Sequence, residues 1–454
     1  MAHSHSNLRF TCAPFLGFGV PNCDSFLGVP TPLNGLADRR LSPILDALAQ
    51  DEPVIALHGP RSVGKSTLLH IFAASRGVPV LDLDDIATRD AVLANPSVAV
   101  GQRTPICLDE YQRAPEVLDA IKARLNREGT LAGTAVLTGS TRHDALPATA
   151  QALTGRLHVM TIWPLSQGEI SGATEDLVAA LREDPEGAVA AHPSSSTTRV
   201  EYVDRVCAGG FPLALRRTGS ARSRWFDDYV RQSIERDALE LGQVRKRQVL
   251  RELLGRLAGR TGQVLNLSQA SSGLAVDRST IEEYTRLLED LFLLQRLPAW
   301  GKTLRVRAAA APKVHVIDSG LAARLMRVTP AKLATLDATA LTEFGNLLET
   351  FVIGELHKQI SWLDEPVTTG HWRTHDGDEV DFVAEFDDGR VLAFEVKANE
   401  RVPGGDLNGL RKLRDALGER FIAGVALSTG ARSYTYEDRL HVMPIDRLWK
   451  PIGT

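Results

Sequence analysis

The feature that most restricts this chain is the octapeptide GPRSVGKS, Gly59 to Ser66, which joins an apolar run at 54–58 to the helix-forming stretch KSTLLHIFAAS. A G-x-x-x-x-G-K-[ST] pattern between a strand and a helix is a phosphate-binding loop, and it commits the first half of the chain to a parallel α/β sheet. Gly59 and Gly64 let the backbone turn tightly enough for successive N–H groups to face phosphate oxygens. The loop residues Gly59, Pro60, Arg61, Ser62, Val63, Gly64, Lys65, Ser66 and Thr67 are expected to hold ATP. Lys65 would reach the β- and γ-phosphates, Ser66 would complete a Mg2+ shell, and the start of the helix adds its positive dipole end.

The alternation of short apolar runs with amphipathic stretches from about Leu36 predicts strands at 54–58, 78–83, 105–108, 134–138 and 157–162, with helices such as 65–75 and 115–127 between them. The run ICLDE delivers Asp109 and Glu110 at a strand's C-terminal end, where open α/β sheets bind ligands. Asp109 is expected to hold Mg2+ through water and Glu110 to polarise the attacking water. A whole strand separates the two motifs in sequence, which suggests the P-loop branch with an extra strand between them. The next strand ends in Thr138, Ser140 and Thr141, and Ser140 is placed to sense a γ-phosphate. Arg156 and Arg142 are candidate arginine fingers for a neighbouring copy, so a homo-oligomer is a candidate assembly. A GTPase or kinase fits less well: an NKxD-type guanine motif is missing, and Glu110 suits water better than a transferred hydroxyl.

At 454 residues the chain is expected to divide into about three domains of roughly 100–200 residues each. Its 43% hydrophobic and 24% charged residues are ordinary for a globular protein. An apolar run of the ~18 residues that cross a bilayer is missing, as is a basic-then-apolar secretory start, so no membrane partner is expected. Cys12, Cys23, Cys107 and Cys207 lie far apart without a CxxC pair, which argues against a zinc site or disulfide framework. Together these features point to the cytoplasm.

Residues 1–35, rich in Gly, Pro and Ser, read as a flexible leader, and residues 183–199 as a low-complexity loop. Between them, residues 36–182 form the nucleotide-binding unit. Residues 200–339 read as a helical segment with a helix-turn-helix pattern, in which Asp277 caps a helix whose apolar stripe is Ile281, Tyr284, Leu287, Leu288 and Leu291. The net charge of −4 conceals a stretch without acids between Asp290 and Asp318 that carries Arg296, Lys302, Arg305, Arg307 and Lys313. This stretch would be a wing, and DNA is the candidate partner. The last helix itself carries Glu282, Glu283, Glu289 and Asp290 against Arg278 and Arg286, a face that phosphates repel. That composition argues against sequence-specific transcriptional control.

In residues 340–454 two period-2 runs, GDEVDFVAEF and VLAFEVKA, flank a DDGR turn and predict a hairpin. Glu395 and Lys397, two residues apart, share a face, and folding about Asp388 and Gly389 brings Asp381 beside them. Two carboxylates and an ammonium at one place suit a Mg2+-dependent phosphodiester cutter. Upstream, the helical wheel puts Glu355 at the centre of the Phe344/Leu348/Phe351/Val352 stripe, where a carboxylate needs a partner or a metal.

The strings GPRSVGKSTLL, LDLDD, LDEYQRAPEVLDAIK, LTGSTR, LTGRL, WPLSQGE and GGFPLAL together resemble the AAA-type ATPases of bacteria and archaea that carry a winged-helix segment and a C-terminal PD-(D/E)XK restriction-nuclease-like domain. The resemblance runs from about residue 36 onward and implies ATP hydrolysis with Mg2+. The spacing from Gly345 to Glu349 resembles the first helix of such nucleases, implying a metal set of Glu349, Asp381 and Glu395, with Lys397 catalytic and Glu355 the rival of Glu349. Asp381 follows Val380 rather than the proline that names the superfamily. The expected fold class is therefore α/β: a P-loop NTPase parallel sheet flanked by helices, a helical winged-helix-like middle and a C-terminal α/β restriction-nuclease-like domain. Its expected function is ATP hydrolysis coupled to DNA binding or cleavage. The alternative is an ATP-dependent switch whose last domain does not cut.

Overall fold

The computed structural model describes residues 35–142, 153–237, 247–274, 276–301, 311–374 and 376–452; the expected leader falls almost wholly outside them. Five strands of the first half, β1 (Val54–His58), β2 (Val80–Asp82), β3 (Ile106–Asp109), β4 (Ala135–Gly139) and β5 (Leu157–Thr161), form a parallel sheet in the order β2-β3-β4-β1-β5. All residues of β1, β3 and β4 are buried, because helices cover both faces of a parallel sheet and leave no wet side. The extra strand expected between the two motifs is β4, which pairs with β1 on one side and β3 on the other.

In the middle, the helix Arg247–Ala258 is followed by β6 (Gln263–Val264), the helices Leu267–Ser271 and Arg278–Asp290, then β7 (Leu294–Leu297) and β8 (Lys313–Val316). These strands form a small sheet in the order β6-β8-β7. Asp277 caps as expected, its carboxylate accepting from Thr280 N at 2.7 Å, and the whole predicted stripe, Ile281 to Leu291, is buried. Lys302, Arg305 and Arg307 of the expected wing lie outside the described residues.

The expected loop at 183–199 is corrected: Pro185–Ala191 is helical. Pro185 occupies the first turn, the Asp184 carboxylate accepts from Gly187 N at 3.0 Å, and Ala188 and Val189 are buried. A proline costs a helix nothing where the N–H has no partner anyway, and the polar composition hid that start signal. The residues that follow are sewn to the chain's end. Ser194 bridges Arg432, and the buried Asp446 accepts from Ser195 and Thr197 and pairs with Lys450.

The last six strands, β9 (Val367–Arg373), β10 (Glu379–Phe386), β11 (Val391–Lys397), β12 (Phe421–Ser428), β13 (Tyr434–Glu437) and β14 (Leu440–Pro444), form a sheet in the order β13-β14-β12-β11-β10-β9. The predicted hairpin is β10–β11, turning at Gly389 (φ 77°) with Phe382 opposite Phe394. An apolar core continues from β1 and the helix Lys65–Arg76 through the middle to Phe382, Phe394 and Trp449. Among the described residues no helix is long and apolar enough to cross a membrane.

At the centre lies the helix Ala338–Ile360, with polar side chains buried on several sides. Gln359 accepts from Val178 N at 3.0 Å and donates to Leu448 O at 2.8 Å. Close by, Glu175 is buried with one carboxylate oxygen on Ser166 and the other without a hydrogen-bond partner. Burial first, then the charges of Glu355 and Glu169, push its pKa up to about 7.

The folded chain therefore keeps a proton on Glu175 in a pH window where the unfolded chain has released it. Stability must fall as pH rises from about 4.5 to about 7. Glu175→Gln removes that loss, so its melting temperature is expected to decline less than the wild type's between pH 5 and pH 7.5. Parallel declines in thermal melts of the two proteins would show the carboxyl to be ionised throughout.

Candidate functional site

The 59–67 loop leaves the C-terminal end of β1 and enters the helix Lys65–Arg76 through Gly64, which stands in the left-handed region at φ 96°. Gly59 is required by close approach: a Cβ there would lie 2.2 Å from the carbonyl oxygen of Ile162. The loop is braced from behind by Arg39, which donates to Val63 O at 3.0 Å and Trp163 O at 2.9 Å and pairs with Glu169 at 3.1 Å. Lys65 is buried, its ammonium donating to Gly59 O at 2.9 Å and Pro60 O at 2.7 Å, so the cation points into the hollow of its own loop.

Asp109 and Glu110 are buried at the end of β3. Thr138, at the matching level of β4, ties the two together: its hydroxyl donates to Asp109 Oδ1 and accepts from Glu110 N at 3.0 Å. Glu110 itself has φ 54° and ψ 47°, a left-handed conformation that a non-glycine residue adopts at some energetic cost. The Gln112 amide donates both to the Glu110 carboxylate and to Ser140 Oγ at 3.1 Å. Glu110 and Ser140 are thus joined through a glutamine that the sequence reading did not single out.

A cleft of about 410 Å3 opens over the loop, lined by Arg61, Ser62, Lys65, Ser66, Thr67 and Glu110. Its far wall is Pro212, Leu213, Arg216 and Gln232, which reasoning from local pattern missed. The string GGFPLAL contains Pro212 and Leu213, whereas Arg216 and Gln232 lie beyond it. Arg216 also donates to Gly35 O at 2.8 Å, and a second cavity of about 370 Å3 continues beside Leu36, Val63, Thr67 and Pro212. The donor set of this cleft, an ammonium, a serine hydroxyl, a helix N-terminus and the Glu110 carboxylate, with Asp109 next to Glu110 behind it, fits a nucleotide phosphate with a divalent cation.

Neither arginine joins this cleft. Arg156 precedes β5, whose first residue Leu157 lies opposite Val54, at the sheet edge away from the loop, and its guanidinium donates to Asn126 at 2.7 Å. Arg142 is turned toward the middle of the chain, donating from its side chain to Glu289 O at 2.9 Å and from its backbone to Asp290 O at 3.1 Å. The guanidinium stands 5.1 Å from the Phe292 ring centroid.

A second constellation forms in the C-terminal part. The register places Asp381 one step beyond the Phe382–Phe394 pair, next to Glu395, and Asp381 Oδ2 accepts from Val396 N at 3.0 Å. Lys397 pairs with Glu395 at 2.7 Å. The helix Ala338–Ile360 brings Glu349 to the same place, but a residue from outside the domain completes it. Lys313 of β8 puts its ammonium 2.8 Å from Glu349 Oε1 and 2.7 Å from Asp381 Oδ1. Burial opposes that charge, yet Asp381 and Glu349 more than offset it and the pKa of Lys313 is raised. Burial and then Asp381 raise both Glu349 and Glu395, whose Oε2 is buried without a hydrogen-bond partner.

The expectation of a metal set at Glu349, Asp381 and Glu395 is corrected to this extent. The side chains assemble, but among the described residues no group of three or more His, Cys, Asp or Glu is arranged to hold a metal ion. Ammoniums take up these acids instead: Lys313 stands between Glu349 and Asp381, and Lys397 pairs with Glu395. Glu355 is no rival ligand: it accepts from Gln167 N at 2.8 Å and pairs with Lys358 at 2.5 Å, joining the helix to the nucleotide-binding half.

Residues 51–171 match the family model described as an AAA domain. Residues 199–332 and 344–448 match two domains of unknown function, DUF8612 and DUF4143. The uncharacterized proteins Rv2008c of Mycobacterium tuberculosis and Mb2031c of Mycobacterium bovis are each 26% identical over 404 residues, covering 87% of this chain and 81% of theirs. Among solved structures, the Walker-type ATPase PABY2304 of Pyrococcus abyssi aligns with a TM-score of 0.39 at 15% identity, over 64% of this chain and 96% of that one. The RuvB Holliday junction branch migration motor of Thermotoga maritima aligns at 0.28 and 16%, over 58% and 90%. At these TM-scores neither structural likeness carries weight. The match over residues 51–171, on the loop and sheet described, supports an AAA-type P-loop ATPase domain.

Thr138→Val deletes the hydroxyl that bridges Asp109 and Glu110 and leaves a buried N–H and a carboxylate oxygen short of a partner. A stability loss of about 1–3 kcal/mol is expected in urea denaturation. An unchanged midpoint would show that the hydroxyl makes no such bridge.

Proposed function

We propose that this chain binds and hydrolyses ATP with Mg2+ and uses the cycle to control its middle and C-terminal parts. One observation carries the reading: the loop that cups Lys65 and the acidic pair Asp109–Glu110 end on the same edge of one parallel sheet, with Thr138 and Ser140 of the intervening strand between them. Mg2+ would supply charge neutralisation at the phosphates, held by Ser66 and Asp109. Lys65 would leave its carbonyl cage to contact the β- and γ-phosphates. Glu110 orients and polarises water, its carboxylate positioned by Gln112, while Ser140 faces the terminal phosphate. The reading includes a cytoplasmic setting and an oligomer in which Arg156, at the sheet edge away from its own loop, would serve a neighbouring copy's site.

The order helix, strand, helix, helix, strand, strand in residues 247–316 is that of a winged helix, and it supports DNA as the partner. Glu282 and Glu283 are exposed on its last helix, so the contact would come through the wing rather than by base reading. A second reading has its own support. Lys313 fills the centre of the C-terminal carboxylates, which favours a switch that works without cutting DNA in the conformation described.

Labelled-nucleotide binding and phosphate release test the ATPase directly. Lys65→Met is expected to abolish binding at micromolar ATP. Glu110→Gln should keep binding and lose at least about a hundredfold in turnover. A wild type that takes up no nucleotide, or a Glu110→Gln protein as active as wild type, would overturn the reading.

A further inference from the structure

We propose that Lys313 is a built-in stand-in for a divalent cation: its ammonium takes the place of Mg2+ or Mn2+ in the Glu349–Asp381–Glu395 cluster and keeps the ion out. This inference concerns the C-terminal carboxylate cluster and rests on the second reading above, in which Lys313 fills its centre. It does not depend on ATP hydrolysis.

The cation is foreign to the domain it enters. Lys313 begins β8 and stands opposite Leu297 of β7 in the small middle sheet, so its backbone belongs to a different sheet from that of Asp381. Its side chain is 3% exposed, and its ammonium bridges an oxygen from a helix and an oxygen from β10. A hard cation would draw on the same two oxygens, since carboxylates from separate elements are its usual ligands. Burial, then the Asp381 charge, raise the pKa of both Glu349 and Glu395, as three acids crowd round two ammoniums. Glu395 Oε1 pairs with Lys397, while its Oε2 is buried without a hydrogen-bond partner and is open to a proton or an ion. A monovalent point charge on a tether satisfies Glu349 and Asp381 and leaves Glu395 half-served. A divalent ion in its place would serve all three.

The test is a Mn2+ titration of the full-length chain without nucleotide, followed by electron paramagnetic resonance and calorimetry, with thermal melts in parallel. Wild type is expected to bind no Mn2+ at the cluster and to melt at the same temperature with and without it. Lys313→Met should take up about one Mn2+, at least about tenfold tighter than wild type, and melt higher when the ion is present. Adding Asp381→Asn to Lys313→Met should abolish that uptake. Lys313→Gln, which keeps a donor among the carboxylates, repeats the test with less disturbance to folding. A variant that folds only with Mn2+ supports the proposal, and one that Mn2+ fails to fold overturns it. Wild type binding Mn2+ at the cluster as tightly as the variants, or folded variants binding none, overturns it as well. Because nucleotide is omitted throughout, a negative result here leaves the ATPase reading untouched, and a failed ATPase assay leaves this result standing.

Discussion

The helix Ala338–Ile360 is the constraint on which the rest depends, because it buries charge and polarity rather than apolar surface alone. From one rod, Glu349 reaches Lys313 of the middle sheet, Glu355 reaches the backbone at Gln167, and Gln359 reaches Val178 and Leu448. The partners come from the nucleotide-binding half, the middle sheet and the last part of the chain. Apolar packing tolerates sliding, but a buried carboxylate deprived of its partner costs about 3–5 kcal/mol. The helix therefore sets how the parts sit as well as that they adhere, while the continuous core from β1 to Trp449 supplies most of the burial.

Where function is written in short-range pattern, the sequence was readable. The loop around Lys65, the strand ending in Asp109 and Glu110, and the β10–β11 hairpin each draw on residues adjacent in the chain or mirrored across one turn. Periodicity and turn chemistry specify such elements. What stayed hidden was pairing at distance. Lys313 lies 36 residues from Glu349 and 68 from Asp381, and in sequence it is one basic residue in a basic run. Glu355 on its apolar stripe was correctly marked as needing a partner, but which partner depends on the docking of a segment 188 residues earlier. Arg142 looked free to serve a neighbour for the same reason: its acceptors are backbone carbonyls 147 and 148 positions away, and carbonyls leave no trace in composition.

Those distant pairings lie along one connected path. The end of β4 carries Ser140 beside Glu110, and two residues later Arg142 grips the end of the helix Arg278–Asp290. From that helix the chain passes through Phe292 into β7, whose last residue pairs with Lys313. The strand end expected to face a terminal phosphate and the lysine among the distant carboxylates thus share a chain of packed elements, with no flexible linker between them among the described residues. Contiguity of this kind supplies a route and not by itself a coupling.

The stitching of residues 176–202 to the final strand region has a consequence for how the molecule is made. Asp176 accepts from Ile452 N, Val178 is met by Gln359, and Ser195 and Thr197 lean on Asp446. Synthesis delivers the amino-terminal half first, tens of seconds before those closing residues leave the ribosome, at the usual roughly 5–20 residues per second. During that interval the segment has nothing to dock on, and its buried donors face water. Loss of residues 446–452 therefore strands side chains of the amino-terminal half as well, since their partners are made 249 to 276 residues later.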